Sequence, residues 1–192
     1  MQNDSELFWK LLEPEYSRAM LFCRKLMVDR EHGDDLFQDG LVTALTKFRS
    51  LRDQSAFRPW LYRILINTFK SRARRKWLKR MVPLTADLEL TLTGDDPVDR
   101  RSARRWLDRL FRAVSADDRS LITLHDLEGW PIADLAALYG KSEGSIKLKL
   151  FRARSKMKDA LDALLKAGID ESGATKDDIE ENPWIALKPE GE

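Results

Sequence analysis

Apolar residues recur at three- and four-residue steps through most of the first 166 positions, and proline and glycine are scarce inside those stretches. That period places apolar side chains on one side of an α-helix. No alternating, β-branched run marks a strand. The pattern therefore predicts an all-α chain. A first helix is expected over Ser5 to Val28, with a turn at Asp29 to Gly33. Asp34 or Asp35 then caps a second helix, whose Phe37, Leu41, Ala44, Leu45 and Phe48 form a buried stripe. Ser50 to Ala56 reads as a polar loop, and Pro59 suits the first turn of a third helix carrying Trp60, Leu61, Ile64, Leu65 and Phe69 on one side. That helix runs on into Lys70-Ser71-Arg72-Ala73-Arg74-Arg75-Lys76-Trp77, so it is anchored at one end and cationic at the other.

Periodicity fails between Val82 and Val98, where Pro83, Gly94 and Pro97 lie among Thr and Asp. The expected organisation is two small helical domains, 5–81 and 99–166, joined by a flexible acidic linker over 82–98 and followed by an acidic tail over 167–192. The tail composition predicts disorder, interrupted by the apolar Trp184-Ile185-Ala186-Leu187.

Charge changes this picture more than composition does. The formal net charge is only +2, but it is segregated. Gln54 to Val82 contains no acidic residue and many Lys and Arg; Met81 to Asp99 contains no basic one. A second basic run spans Lys141, Lys147, Lys149, Arg152, Arg154, Lys156 and Lys158. One such run is ordinarily a solvated face. Two, each on an amphipathic helix, point to a polyanion, because phosphate contacts release condensed counterions. Cys23, the single cysteine, excludes an internal disulfide and sits in an apolar stretch as a buried thiol. With two histidines, zinc ligation is not expected, and no cofactor is called for. No segment has the length and apolarity of a membrane span or the pattern of a secretory signal, so a cytoplasmic chain is expected.

The sharpest local signal lies between Ile132 and Phe151. Pro131 opens a helix over Ile132 to Tyr139, Gly140 supplies a left-handed turn, and Ser142 caps the next helix with Glu143 near its positive end. Ile132, Leu135, Ala136, Ile146 and Leu150 are the inward positions. The Ala136, Gly140, Ile146 spacing resembles the DNA-binding helix-turn-helix. An ordinary helical hairpin explains Ala136 and Gly140, but not the cations of the second helix. Ser145 and Lys149 are candidates for base edges; Lys141, Lys147 and Arg152 for phosphates.

Two blocks carry a family resemblance. Gly33-Asp34-Asp35-Leu36-Phe37-Gln38-Asp39-Gly40 with Phe57-Arg58-Pro59-Trp60-Leu61-Tyr62-Arg63-Ile64-Leu65-Ile66-Asn67 is one. Ala116-Asp117-Asp118-Arg119, Leu127-Glu128-Gly129 and the helix-turn-helix closing on Arg152-Ala153-Arg154 is the other. Their order and spacing resemble the extracytoplasmic-function branch of the sigma-70 family of RNA polymerase sigma factors. The resemblance implies a non-enzymatic subunit that directs core polymerase to promoters and helps open them. It implies that Asp34, Asp35, Leu36, Gln38 and Asp39 meet the polymerase clamp. It further implies that Asn67, Lys70, Arg74 and Arg75 face the −10 element beside a selecting loop at Ser50 to Phe57. The C-terminal module would read the −35 element and touch the polymerase flap, the linker would thread the polymerase interior, and an anti-sigma protein would hold the chain inactive. A stand-alone helix-turn-helix regulator is the alternative; it predicts tight binding to duplex DNA without polymerase. A nuclease or recombinase would need paired carboxylates, and Asp34 and Asp35 diverge on a helix.

Overall fold

The computed structural model describes residues 2–81 and 98–166. All but Val98 of the expected linker over 82–98, and the acidic tail with its Trp184 to Leu187 motif, lie outside these described residues. Every regular element among them is helical.

The N-terminal module holds four helices: α1 (Gln2–Leu12), α2 (Tyr16–Met27), α3 (Arg30–Lys47) and α4 (Phe57–Met81). The single helix expected over Ser5 to Val28 is two. Pro14 has no N–H to donate and its ring crowds the preceding turn, so the chain breaks at Glu13 to Glu15. The second boundary also differs from expectation. α2 ends on Val28, buried with φ 58°, and Asp29 rather than Asp34 or Asp35 caps α3, accepting from the His32 N–H at 2.7 Å. Gly33 therefore lies inside α3, not in a turn. A Cβ there would stand 2.5 Å from Arg24 Cα, so glycine permits the close crossing of α2 and α3. Leu45, expected in the buried stripe, is 42 % exposed. The expected loop at 50–56 contains short 3-10 turns at Phe48–Ser50 and Gln54–Ala56, and α4 follows with Pro59 in its first turn. Phe8, Phe22, Leu36, Leu61 and Leu65 are fully buried and centre this module. Cys23 is buried with them, and that burial pushes its thiol pKa up. Trp60 packs between Phe48 and Phe57, with ring centroids 6.3 and 5.7 Å away, as expected of a core residue.

The C-terminal module contains α5 (Val98–Arg112), α6 (Ala116–Ile122), α7 (Ile132–Tyr139) and α8 (Glu143–Lys166). Ser115 caps α6, accepting from the Asp118 N–H at 3.1 Å and donating its hydroxyl to the Asp118 carboxylate at 2.7 Å. α6 widens into a π-helical turn over Thr123–Leu127, which the Glu128 N–H closes on the Thr123 carbonyl at 3.1 Å. Phe111, Leu121, Leu124, Leu135, Ile146 and Leu150 fill the core.

The two modules are in contact. Tyr62 of α4 meets Trp130 with ring centroids 4.8 Å apart, and the Arg58 guanidinium lies 4.5 Å from the Trp130 ring. Trp130 is 4 % exposed, so the junction is dry at its centre. Arg119 spans the same boundary, over Phe69 at 5.6 Å and Phe111 at 4.4 Å.

Candidate nucleic-acid interface

α4 buries Phe57, Leu61, Tyr62, Leu65 and Phe69, and this fixes what it shows elsewhere. Arg63, Asn67, Lys70 and Arg74 follow one another at helical steps and are exposed, with exposed Arg75 alongside. Sequence reasoning placed Asn67, Lys70, Arg74 and Arg75 together, and the structure does likewise. It missed Arg63, which heads the same stripe. Arg72 turns the other way. It grips the Asp39 carboxylate at 2.5 and 3.0 Å and the Asp35 carbonyl at 3.0 Å, tying α4 to α3.

The candidate clamp residues divide on this scaffold. Gln38, Asp35 and Asp39 are exposed. Asp34 is engaged by Arg24 through two bonds at 2.6 and 3.0 Å; that hydrogen bonding holds its carboxyl below the ordinary range. Leu36 is fully buried against the core, so it has no surface to offer a partner, contrary to expectation. Val42, 68 % exposed, and Leu45 continue the Gln38 face of α3 one and two turns on. Sequence reading placed Leu45 in the buried stripe and passed over Val42.

The helix-turn-helix forms as its spacing predicts. Gly140 takes φ 62°, and Ser142 accepts from the Ser145 N–H at 3.3 Å to open α8. Pro131 precedes α7 without supplying a side-chain cap. Along α8, Ile146, Leu150, Ala153 and Met157 point inward. Lys141, Ser145, Lys147 and Arg152 are exposed, as a DNA-facing set requires. Arg154 is turned back onto Asp126 at 2.5 Å. Lys149 is also drawn back, bonded to Asp117 of α6 and lying 5.9 Å from the Tyr139 ring. Leu148 and Phe151, which sequence reasoning passed over, are 48 % and 61 % exposed.

Asp117 joins the two cationic helices. Its second oxygen accepts from Lys70 of α4 at 2.8 Å, while Lys149 of α8 holds the first. Burial pushes the Asp117 carboxyl up, but the bonds from Lys149 and Lys70 outweigh it and leave it below the ordinary carboxylate range. Arg63 donates to the Leu138 carbonyl at 2.8 Å, at the C-terminal end of α7, where the helix dipole favours a cation. Lys25 donates to the Leu127 carbonyl at 3.0 Å and pairs with Glu128 at 2.7 Å. Between α4 and α7 lies a cleft of about 280 Å³ lined by Arg63, Asn67, Lys70, Tyr139 and Gly140. The Tyr62 and Tyr139 hydroxyls and the Trp130 indole N–H are buried around this junction without a hydrogen-bond partner. Ion pairs and carbonyl contacts border this junction, and its buried apolar residues are continuous with the cores of both modules.

Comparison with known proteins agrees with this layout. Residues 11–79 match the family model described as Sigma-70 region 2, and residues 104–157 match Sigma-70, region 4. The chain is 30 % identical over 155 residues to the ECF RNA polymerase sigma factor SigM of Mycobacterium tuberculosis, covering 81 % of this chain and 77 % of that protein. It is 27 % identical over 175 residues to the ECF RNA polymerase sigma-E factor of Haemophilus influenzae, covering 85 % and 92 %. Among solved structures it is similar to the sigma factor RpoE of Bartonella quintana, seen with the anti-sigma factor NepR, at TM-score 0.55 and 25 % identity over 81 % of this chain and 96 % of that one.

Proposed function

The chain belongs to the extracytoplasmic-function branch of the sigma-70 family of RNA polymerase sigma factors, and from that premise we propose how its two modules share the work of initiation. It directs core polymerase to promoters and takes part in opening them. The N-terminal module, 5–81, meets the polymerase clamp through the α3 face of Asp35, Gln38 and Asp39, extended by Val42 and Leu45. Its α4 stripe of Asn67, Lys70, Arg74 and Arg75 takes the −10 element. The C-terminal module, 99–166, lays α8 in the major groove of the −35 element, with Lys141, Lys147 and Arg152 on phosphates, and touches the flap. Opening the duplex asks for no catalytic group: affinity for the unpaired strand shifts the equilibrium towards the melted state.

The observation that carries this reading is the meeting of Lys70 and Lys149 on Asp117. Lysines from both candidate DNA helices close on a single anion, the role a phosphate plays. Elements centred near −10 and −35 lie on the order of 85 Å apart at about 3.4 Å per base pair. Two lysines sharing a carboxylate cannot serve both at once. The structure is therefore the closed form of the free chain, and promoter engagement requires α4 and α8 to part. A protein that sealed the two modules in this closed form would hold Lys70 and Lys149 from DNA, which suits an anti-sigma partner such as the one bound to the Bartonella quintana factor. Among the described residues no helix is long and apolar enough to cross a membrane, and we place the work in the cytoplasm with the polymerase.

The test is reconstitution. Purified chain added to core polymerase should yield transcripts from discrete start sites on a genomic library, and Lys70→Ala should weaken them. Tight promoter binding without polymerase, and no transcripts with it, would instead indicate a stand-alone regulator.

A further inference from the structure

The face of α8 that looks furthest from its own core carries two large apolar side chains among polar ones. Ile146, Leu150, Ala153 and Met157 define the inward direction. At about 3.6 residues per turn, Leu148 lies diametrically opposite them and Phe151 flanks it one turn later. Both are open to solvent, at 48 % and 61 %. Exposed Ser145, Lys147, Arg152 and Ser155 surround the pair. Lys149 sits about a quarter turn away and is drawn towards Asp117. The side chain best placed to meet a base edge is thus leucine, not lysine.

A lone exposed apolar residue needs no explanation. Two large ones, one turn apart on the groove-facing side of a helix and flanked by Lys147 and Arg152, call for an apolar partner inside an anionic surface. In the major groove that partner is the C5-methyl group of thymine, the one apolar feature on the base edges. The spacing fits. Residues three apart rise about 4.5 Å along a helix, and neighbouring base pairs rise about 3.4 Å. We propose that Leu148 and Phe151 read the methyl groups of neighbouring T·A pairs in the −35 element, making them the specificity residues of α8. The inference rests on α8 being the groove helix.

Replacing thymine with deoxyuridine deletes the methyl group and leaves every hydrogen bond intact. Holoenzyme assembled from the full chain would be bound to promoters recovered from the genomic library, with each −35 thymine replaced in turn. One or two positions should cost about fourfold in affinity, the worth of one buried methyl group. Leu148→Ala and Phe151→Ala should each abolish the loss at its own position while retaining promoter binding; because both side chains are exposed, circular dichroism should show an unchanged fold. Methyl-insensitive binding at every position would overturn the assignment and leave the sigma reading standing, as would losses that persist in both variants. Holoenzyme that binds no promoter would remove both readings together.

Discussion

Asp117→Asn tests the closed form with little change in shape. The substitution keeps the side-chain outline and removes the charge that Lys70 and Lys149 share. The three side chains are 43 %, 36 % and 29 % exposed for Lys70, Lys149 and Asp117, so neither pair is fully screened nor fully buried. Half-exposed pairs contribute about 0.2–1 kcal/mol each. Because both pairs use one carboxylate, a joint contribution of about 1 kcal/mol is the reasonable sum. That corresponds to about a fivefold shift from closed to open. The Arg63 bond to the Leu138 carbonyl and the Tyr62–Trp130 contact remain, so the modules should loosen rather than fall apart. Fluorescence anisotropy with labelled promoter duplex, in the absence of polymerase, should show up to about fivefold tighter binding by the variant at low salt. The gain should shrink as salt screens the original pairs. Asp162→Asn, which removes an exposed carboxylate near the far end of α8, controls for the change in net charge. If Asp117→Asn and Asp162→Asn bind DNA equally, Asp117 does not restrain the two helices and the reasoning fails.

Three further outcomes follow from the geometry. Gly33→Ala would bring a Cβ to 2.5 Å from the Arg24 backbone, and the forced separation of α2 and α3 should cost about 1–3 kcal/mol, read as a lower midpoint in thermal unfolding. The Asp117 carboxyl titrates below its unfolded value of about 3.9, so its contribution is full above that pH and is lost as pH falls through the folded value. Small-angle scattering at constant ionic strength should therefore show the modules loosening as pH falls below about 4, ahead of any loss of helix by circular dichroism. Lys147→Ala should weaken holoenzyme binding to all promoters alike and reduce the salt slope by about one, as a phosphate contact does.

The helix-turn-helix was legible because its determinants are local: Gly140 must supply the left-handed turn, Ser142 the cap and Ile146 the plug, all within one short segment. The α4 stripe was legible for the same reason, since its apolar side dictates what faces out. One boundary was misread where near-equivalent residues compete. Asp29 and Asp34 are both plausible caps, and the choice falls to Asp29 because Arg24 takes Asp34. Leu45 was misplaced, and Leu148 and Phe151 were passed over, because periodicity marks an apolar position without saying which apolar residues tertiary packing leaves outside. The junction between the modules was invisible. Lys70 and Asp117 are 47 positions apart, Arg63 and Leu138 are 75 apart, and a surface cation looks the same in sequence whether paired or free.

On the proposed function, the closed free chain opens on the polymerase and its two candidate DNA helices separate. Ser71 and Glu143 are exposed, the first beside Lys70 and the second just beyond Gly140 at the α4–α7 cleft. Both accept a cysteine-linked dye, and Cys23 is buried away from the reagent. Energy transfer between those positions should be high in the free chain and should collapse when core polymerase is added. Equal transfer in the two states, with promoter-specific transcription intact, would contradict the account.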